Sequence, residues 1–520
     1  MWKRMAVVLS CLMVGFSLLY MRIMYISQDE KLAKTALNQG SYTISVAKTY
    51  GNIYDCNFKL LNNNNYKIMA VINPTIDNIK QILPLVSDLK SFYKQVQNGK
   101  PFVTELKSQP ENSEILTFNI PIRASENQLA PHIIGYTSEN MGVCGIEKAY
   151  DKFLRSSVNQ LTVSYNVDGK GKVLYGKGKS FEPEKPMKSG VVTTLDLEIQ
   201  KIAEQAAKLM EKGAIIVPTF TPVSVEKFLD DENSPMINRA FSAYNVGSIF
   251  KLVTAATALE EGISPNLAYD CKGIIDIDGQ NFKCHKLDGH SVLDMKGAMA
   301  ESCNTYFIDL SKQISSADFI SKAAILGFGR ENYLADGIIS ASGNLQTTSQ
   351  LYNPAEKANL AFGQGMLTAT PLQVASMTAA IVNGGKLTEP RLVLGTTSDG
   401  WSIPNSGETV YTNAINPTTA AILRNFLIND IINPSTAAAR PENVSAAGKT
   451  STAQTGRFDE NGVEYSEAWF TGYFPANEPK YVVTVLVENG KSGNSSAGPI
   501  FKEIAEKVTE LDNSRYELRE

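Results

Sequence analysis

Histidine is scarce in this 520-residue chain, which holds only His132, His285 and His290. So small and scattered a set supplies neither a Ser-His-Asp triad nor a histidine-based metal centre, and all three are read as structural. Cysteine is nearly as rare. Cys11, Cys56, Cys144, Cys271, Cys284 and Cys303 are too few and too dispersed for a disulfide-held scaffold. Cys271 and Cys284 flank residues 273–280, which read as a hairpin, so free thiols or one disulfide are expected there. Adding His285 and His290 as zinc ligands matches no familiar spacing, and neither a metal nor any other cofactor is expected. Charge of one sign is missing too: 49 basic residues stand interspersed among 53 acidic ones, for a net charge of -4, which excludes a nucleic-acid partner. Residues 28–190 show no paired-carboxylate site, which argues against glycosyl transfer.

Long apolar runs are absent except at the start. Residues 5–21 carry no charge, follow Lys3 and Arg4, and are closed by Arg22, with Ile23, Met24, Tyr25 and Ile26 as an extension. The run reaches the short limit of about 17 residues for a spanning helix. No small-x-small cleavage site follows, so an uncleaved signal anchor is expected over 1–27, with Asp29 and Glu30 and the bulk of the chain outside the membrane. A buried core helix is the competing reading of such a run, and its terminal position argues against that.

The length calls for two domains or more, since single cores rarely grow beyond about 300 residues. After the anchor a helix is expected over 29–39, a strand over 42–48, a polar turn at 62–65, a helix over 79–96 and another from Gly145. With no nucleophile set among these elements, the region to 190 reads as a pedestal that ends in a Gly-, Lys- and Pro-rich connector over 165–190. A second domain over 191–515 follows, opening on a helix capped within Thr193-Thr194-Leu195-Asp196 and a buried strand over 213–217. It continues as helices at its centre, including one over 371–382, and returns to strands over 469–474 and 481–487 before a closing helix over 499–511.

The chemistry is expected at Ser248-Ile249-Phe250-Lys251. A serine three residues before a lysine at a helix start puts hydroxyl and amine on one face, one turn apart. The same spacing recurs at Ser45, Ser87, Ser91 and Ser224, so spacing alone decides nothing. At Ser248 the context differs: Gly247 precedes it, and Phe250, Val253, Ala256 and Leu259 recur at helical spacing. Two further clusters follow in order, Ser302-Cys303-Asn304 and Lys449-Thr450-Ser451-Thr452. Taken singly, Ser302 and Asn304 would be ordinary cap or turn residues and Lys449 a solvated strand end.

Together the three clusters resemble the active-site set of penicillin-binding proteins and serine beta-lactamases. With Gly51-Asn52-Ile53-Tyr54-Asp55, His132-Ile133-Ile134-Gly135-Tyr136, Gly145-Ile146-Glu147-Lys148, Leu195-Asp196-Leu197 and Gly363-Gln364-Gly365, the chain resembles class B penicillin-binding proteins over essentially its whole length. Ser302-Cys303-Asn304 and the two flanking cysteines are similar to clostridial and sporulation-type members. The resemblance implies an α+β architecture: a membrane anchor, an elongated pedestal, and a transpeptidase domain in which an antiparallel sheet flanked by helices adjoins an all-helical subdomain. It implies that Ser248 attacks the penultimate D-Ala carbonyl of a peptidoglycan stem peptide with Lys251 as base. Burial and the nearness of Lys449 would keep Lys251 neutral, against its ordinary value of about 10.4. It further implies that Ser302 passes a proton to the leaving amine, that Asn304 orients Lys251 and substrate, and that backbone N–H groups of Ser248 and Thr452 hold the oxyanion. Lys449, Thr450 and Thr452 would bind substrate through its terminal carboxylate. Beta-lactams, the plasma membrane, a membrane glycosyltransferase and other cell-wall synthesis proteins are the implied partners.

The chain departs from the family pattern at three points. Tyr50 stands where Arg is usual, no Asp-Pro-x-Thr-Gly hairpin follows residue 217, and Ser451 replaces the Gly of Lys-Thr-Gly, where a side chain would crowd the neighbouring strand or the substrate. These leave two alternatives, a catalytically weak scaffold and a D,D-carboxypeptidase or beta-lactamase-like hydrolase. Glu331, the nearest match to a deacylating glutamate, reads as a surface loop residue.

Overall fold

A computed structural model describes residues 2–28, 40–63, 65–111, 115–123, 128–168, 172–174, 179–181, 187–217, 226–228, 237–404, 406 and 409–517. The helix expected over 29–39 and much of the connector lie outside them. The chain divides into two compact units that are not contiguous in sequence. The first comprises 1–51, 63–125 and 156–187, the second 52–62, 126–155 and 188–520. The single boundary expected near residue 190 is therefore corrected. Two stretches assigned to the pedestal belong to the C-terminal unit, because apolar side chains such as Ile53, Leu61, Ile133, Ile134, Ile146 and Leu154 complete a core there with Val191, Leu195, Ala214 and Ile216.

In the first unit, Trp2–Gln28 forms one helix of 27 residues, all exposed. At about 1.5 Å per residue it is long enough to cross a hydrocarbon layer of about 30 Å, and it is apolar enough to do so. Strand Ser41–Thr49 pairs antiparallel with Asn159–Asn166, as the alternation over 42–48 leads one to expect. A second sheet sets Asn65–Ile72 between Phe102–Leu106 and Leu116–Ile122. The helix expected over 79–96 is broken in two, Ile76–Ile82 and Leu89–Gln97. Pro84 removes a backbone donor at the break, and the Asp88 carboxylate accepts from the Lys90 and Ser91 N–H groups to start the second helix afresh.

The second unit is built on a five-stranded antiparallel sheet. Its strands are β1 (Gly213–Ile216), β2 (Glu226–Phe228), β3 (Ala447–Phe458), β4 (Glu464–Phe474) and β5 (Tyr481–Val487), in spatial order β2-β1-β5-β4-β3. Alternation along β4 and β5 explains the two cores. Phe470, Phe474, Val483 and Val485 face the C-terminal helix Gly498–Glu517 through Phe501 and Ile504. Trp469, Tyr473, Val482 and Leu486 face the opposite way, into a core shared with helices Lys251–Glu260, Pro371–Val382 and Pro417–Ile431. The helical part also carries short two-stranded ribbons, among them the hairpin Ile274–Ile277 with Gln280–Lys283 that the cysteines were expected to flank. β1 pairs with β2 although the expected hairpin motif is absent, so a return strand follows residue 217 after all. The residues joining the two lie outside the described set. Gly448 sits inside β3.

Candidate active site

Ser248 lies in a single tight turn, Gly247–Phe250, that runs straight into the helix Lys251–Glu260. The turn depends on two glycines. Gly247 adopts φ +62°, and Gly363 approaches it so closely that a Cβ on Gly363 would fall 1.9 Å from the Gly247 carbonyl oxygen. Gly363 in turn accepts the Gly247 N–H at 2.9 Å. The Gly363-Gln364-Gly365 segment is thus the backrest of the serine turn.

Around Lys251 four polar groups converge. Its Nζ lies 3.0 Å from Ser248 Oγ, 3.1 Å from Ser302 Oγ, 2.6 Å from the Ser302 carbonyl oxygen and 2.7 Å from Asn304 Oδ1. Counting donors settles what this arrangement can do. The carbonyl and the amide oxygen only accept, so each takes an N–H from the amine. The remaining direction faces two hydroxyls, and in a neutral amine it is a lone pair able to take a proton. Burial pulls Lys251 down to about 7, and the Lys449 ammonium adds to this. The side chain is fully buried.

Ser302 carries its carbonyl to Lys251 from a left-handed conformation, φ +49°. A non-glycine residue held there costs about 1–2 kcal/mol, so the surrounding fold must hold the corner. Asn304 begins the helix Asn304–Lys312, and its Nδ2 donates to the Lys283 carbonyl at 3.4 Å.

Lys449 lies in the edge strand β3 with Nζ 3.0 Å from Asp430 Oδ1, both side chains buried. Burial raises Asp430 to about 6, and the Lys449 ammonium opposes the rise. Asp430 was not anticipated. A lone acid in the apolar stretch Phe426-Leu427-Ile428-Asn429-Asp430-Ile431 was the available signal, since carboxylates are rarely buried unpaired. Further along β3, Thr450 is half-buried and Thr452 exposed, while Ser451 is buried. Thr452 Oγ1 accepts the Gly493 N–H at 3.1 Å.

Ser451, expected to crowd the neighbouring strand or the substrate, is buried and turns its side chain towards the Gly247 turn. Its hydroxyl donates to the Val246 carbonyl at 2.9 Å and occupies the space that Gly247 leaves open, where a Cβ on Gly247 would sit 2.5 Å from Ser451 Oγ. Glu331 is exposed. His285 and His290 are not scattered: their ring centres lie 5.0 Å apart. Cys271 and Cys284 do not stand as an isolated pair, since Cys303 joins them.

Residues 177–506 match the family described as penicillin binding protein transpeptidase domain. Stage V sporulation protein D of Bacillus subtilis is 29% identical over 410 residues, 71% of this chain and 60% of that protein, so the chain spans less than two thirds of that relative. Peptidoglycan D,D-transpeptidase MrdA of Haemophilus influenzae is 25% identical over 553 residues, 88% of this chain and 83% of that protein. Among solved structures, penicillin-binding protein PBP2 from Helicobacter pylori superposes with a TM-score of 0.67 at 22% identity, covering 90% of this chain and 99% of that one, a likeness of fold. With the family matched over more than half its length, the chain belongs to the penicillin-binding protein transpeptidases, in their class B branch.

Proposed function

We propose that this chain is a serine D,D-transpeptidase that cross-links peptidoglycan stem peptides and is acylated by penicillin. The observation that carries the reading is the Lys251 amine set within hydrogen-bonding reach of Ser248, Ser302 and Asn304 at once. Lys251 takes the Ser248 proton as Oγ attacks the penultimate D-Ala carbonyl. Backbone N–H groups of Ser248 and Thr452 receive the developing oxyanion, the latter from a strand at the sheet's edge. The proton then passes through Ser302 Oγ to the departing D-Ala amine, and an amine from a second stem resolves the ester, returning a proton along the same route. Asn304 holds the Lys251 amine in line. Lys449, Thr450 and Thr452 bind the substrate's terminal carboxylate, with Asp430 fixing the lysine.

The N-terminal helix serves as a single-pass anchor, with Lys3 and Arg4 on the cytoplasmic side and the rest of the chain outside. The first unit acts as the pedestal and offers a docking face to a membrane glycosyltransferase and other cell-wall synthesis proteins. Fluorescent penicillin, chased with unlabelled drug, tests the reading. A long-lived label absent in Ser248→Ala is expected. Rapid loss of label would identify a hydrolase instead, and an unlabelled wild type a scaffold.

A further inference from the structure

Behind the Ser302-Cys303-Asn304 corner lies a cluster that the acyl-transfer chemistry does not use. Cys271 ends the short strand Tyr269–Cys271, Cys284 follows the hairpin's last residue Lys283, His290 lies on the next loop, and Cys303 lies between the two catalytic candidates. The four ligand atoms all fall within 4.8 Å of one another. Cys271 Sγ and Cys284 Sγ lie 3.5 Å and 3.6 Å from His290 Nδ1, and Cys284 Sγ lies 3.9 Å from Cys303 Sγ. A tetrahedral ion with sulfur at about 2.3 Å and nitrogen at about 2.0 Å separates its ligands by about 3.8 Å for S···S and about 3.5 Å for S···N. These three separations match those of a metal cage, and all four side chains are buried.

The neighbours of the cluster suit the same reading. His290 turns Nδ1 to the sulfurs and points Nε2, which is buried with no hydrogen-bond partner among the described residues, towards Glu301 Oε2 at 4.0 Å. Ligating imidazoles characteristically present their second nitrogen to a carboxylate in this way. Thr305 Oγ1 donates to Cys271 Sγ at 3.2 Å and lies 3.5 Å from Cys303 Sγ, a hydroxyl placed to stabilise thiolates. A disulfide would join two of the three sulfurs and leave His290 without purpose. Three thiolates and one imidazole select a thiophilic divalent cation over calcium or magnesium.

We propose that Cys271, Cys284, His290 and Cys303 bind one zinc-type ion, which pins the hairpin to the Ser302-Cys303-Asn304 corner and so positions the two groups that hold Lys251. The corner needs such a pin, since Ser302 sits at positive φ and Asn304 leans on Lys283, next to Cys284. The metal site stands independently of the transpeptidase reading, and only its effect on acylation rests on that reading.

The full chain, purified in detergent without added metal or chelator, is analysed for bound elements. About one equivalent of zinc is expected, falling to background in Cys284→Ser and in His290→Ala. Exchange of cobalt(II) into the wild type, which needs no variant, should produce thiolate-to-cobalt charge transfer and the d–d bands of a tetrahedral site. Less than about a tenth of an equivalent after zinc has been offered to folded protein would overturn the site, as would a mass lower by two hydrogens, mapping to a disulfide among these cysteines. Chelation, followed by return of zinc, tests the positioning role through the rate of penicillin labelling and the near-ultraviolet circular dichroism. A fall of about 10- to 100-fold, reversed by zinc, is expected. A reversible loss of labelling supports the role whether or not the dichroism changes with it, and an unchanged rate in metal-free protein overturns it. Zinc bound to wild type that takes no label at all would sink the transpeptidase reading and leave the metal site standing.

Discussion

Lys251 shows how far one residue's surroundings decide its chemistry. A solvated lysine is charged at neutral pH and holds no lone pair for a serine proton. Burial first, and the Lys449 ammonium second, bring Lys251 to about 7, so near neutrality about half the molecules carry the free base. The sign follows directly: lowering pH charges the amine and stops proton transfer. The rate of penicillin acylation should rise through pH 7 to a plateau, with about a tenth of the plateau rate one unit below that midpoint. Stopped-flow labelling from pH 5.5 to 9 checks this, and a flat profile would remove Lys251 as base. Ser451 gives a second prediction at this scale. Because its hydroxyl fills the gap over Gly247, Ser451→Gly should cost about 1 kcal/mol in stability and leave acylation within a few-fold. Gly247→Ala should cost more, because the new Cβ lies 2.5 Å from Ser451 Oγ on a left-handed backbone. In denaturant melts the double variant should fall short of the sum by about 1 kcal/mol, as expected for residues sharing one space.

Elements decide what local pattern could and could not reveal. Ser248 and Lys251 were legible because three residues of helical turn fix their relation, and β4 and β5 because apolar runs and alternation need no distant partner. Asp430 was not legible as the partner of Lys449, since only the packing of helix Pro417–Ile431 beside β3 brings them together. The cysteine cluster was hidden for the same reason. Cys271 and Cys284 flank one hairpin and could be paired on paper, whereas Cys303 joins them only when helix Asn304–Lys312 packs beside that hairpin. Ser451 was misjudged because the strand's alternation turns it inward, where Gly247 makes room. The Lys449–Asp430 pair carries a prediction at this level. Both groups are buried, so Asp430→Ala strands an ammonium without its counter-charge and should cost about 3–5 kcal/mol in a denaturant melt. Asp430→Leu with Lys449→Met removes both charges and should recover most of that stability. Penicillin labelling should not return with it, which separates the pair's role in binding from its role in folding.

At the scale of the molecule, the chain crosses between its two units several times instead of running from one domain into the next. Residues 52–62 and 126–155 contribute Ile53, Leu61, Ile133, Ile134, Ile146 and Leu154 to the core beneath β1. Asn52–Tyr54 also pairs in parallel with Gly190–Val192, which itself pairs with Val393–Thr397. Each aliphatic side chain stabilises by about 1.5–3 kcal/mol when fully buried, so the six together are worth on the order of 10 kcal/mol. That is as large as the whole net stability of a typical domain, about 5–15 kcal/mol. A fragment covering 188–520 holds every proposed catalytic group and would look self-sufficient from the motifs alone. It should nevertheless be insoluble or molten, with no cooperative thermal transition and no Ser248-dependent label. A fragment covering 40–520, which omits only the apolar helix and the residues after it, should melt cooperatively and take the label. Coexpression of 40–187 with 188–520 restores the absent core segments without covalent continuity. Recovery of the label in that mixture would show that the two halves of the chain share one core. A stable, labelled 188–520 alone would show that residues 52–62 and 126–155 are dispensable ornament.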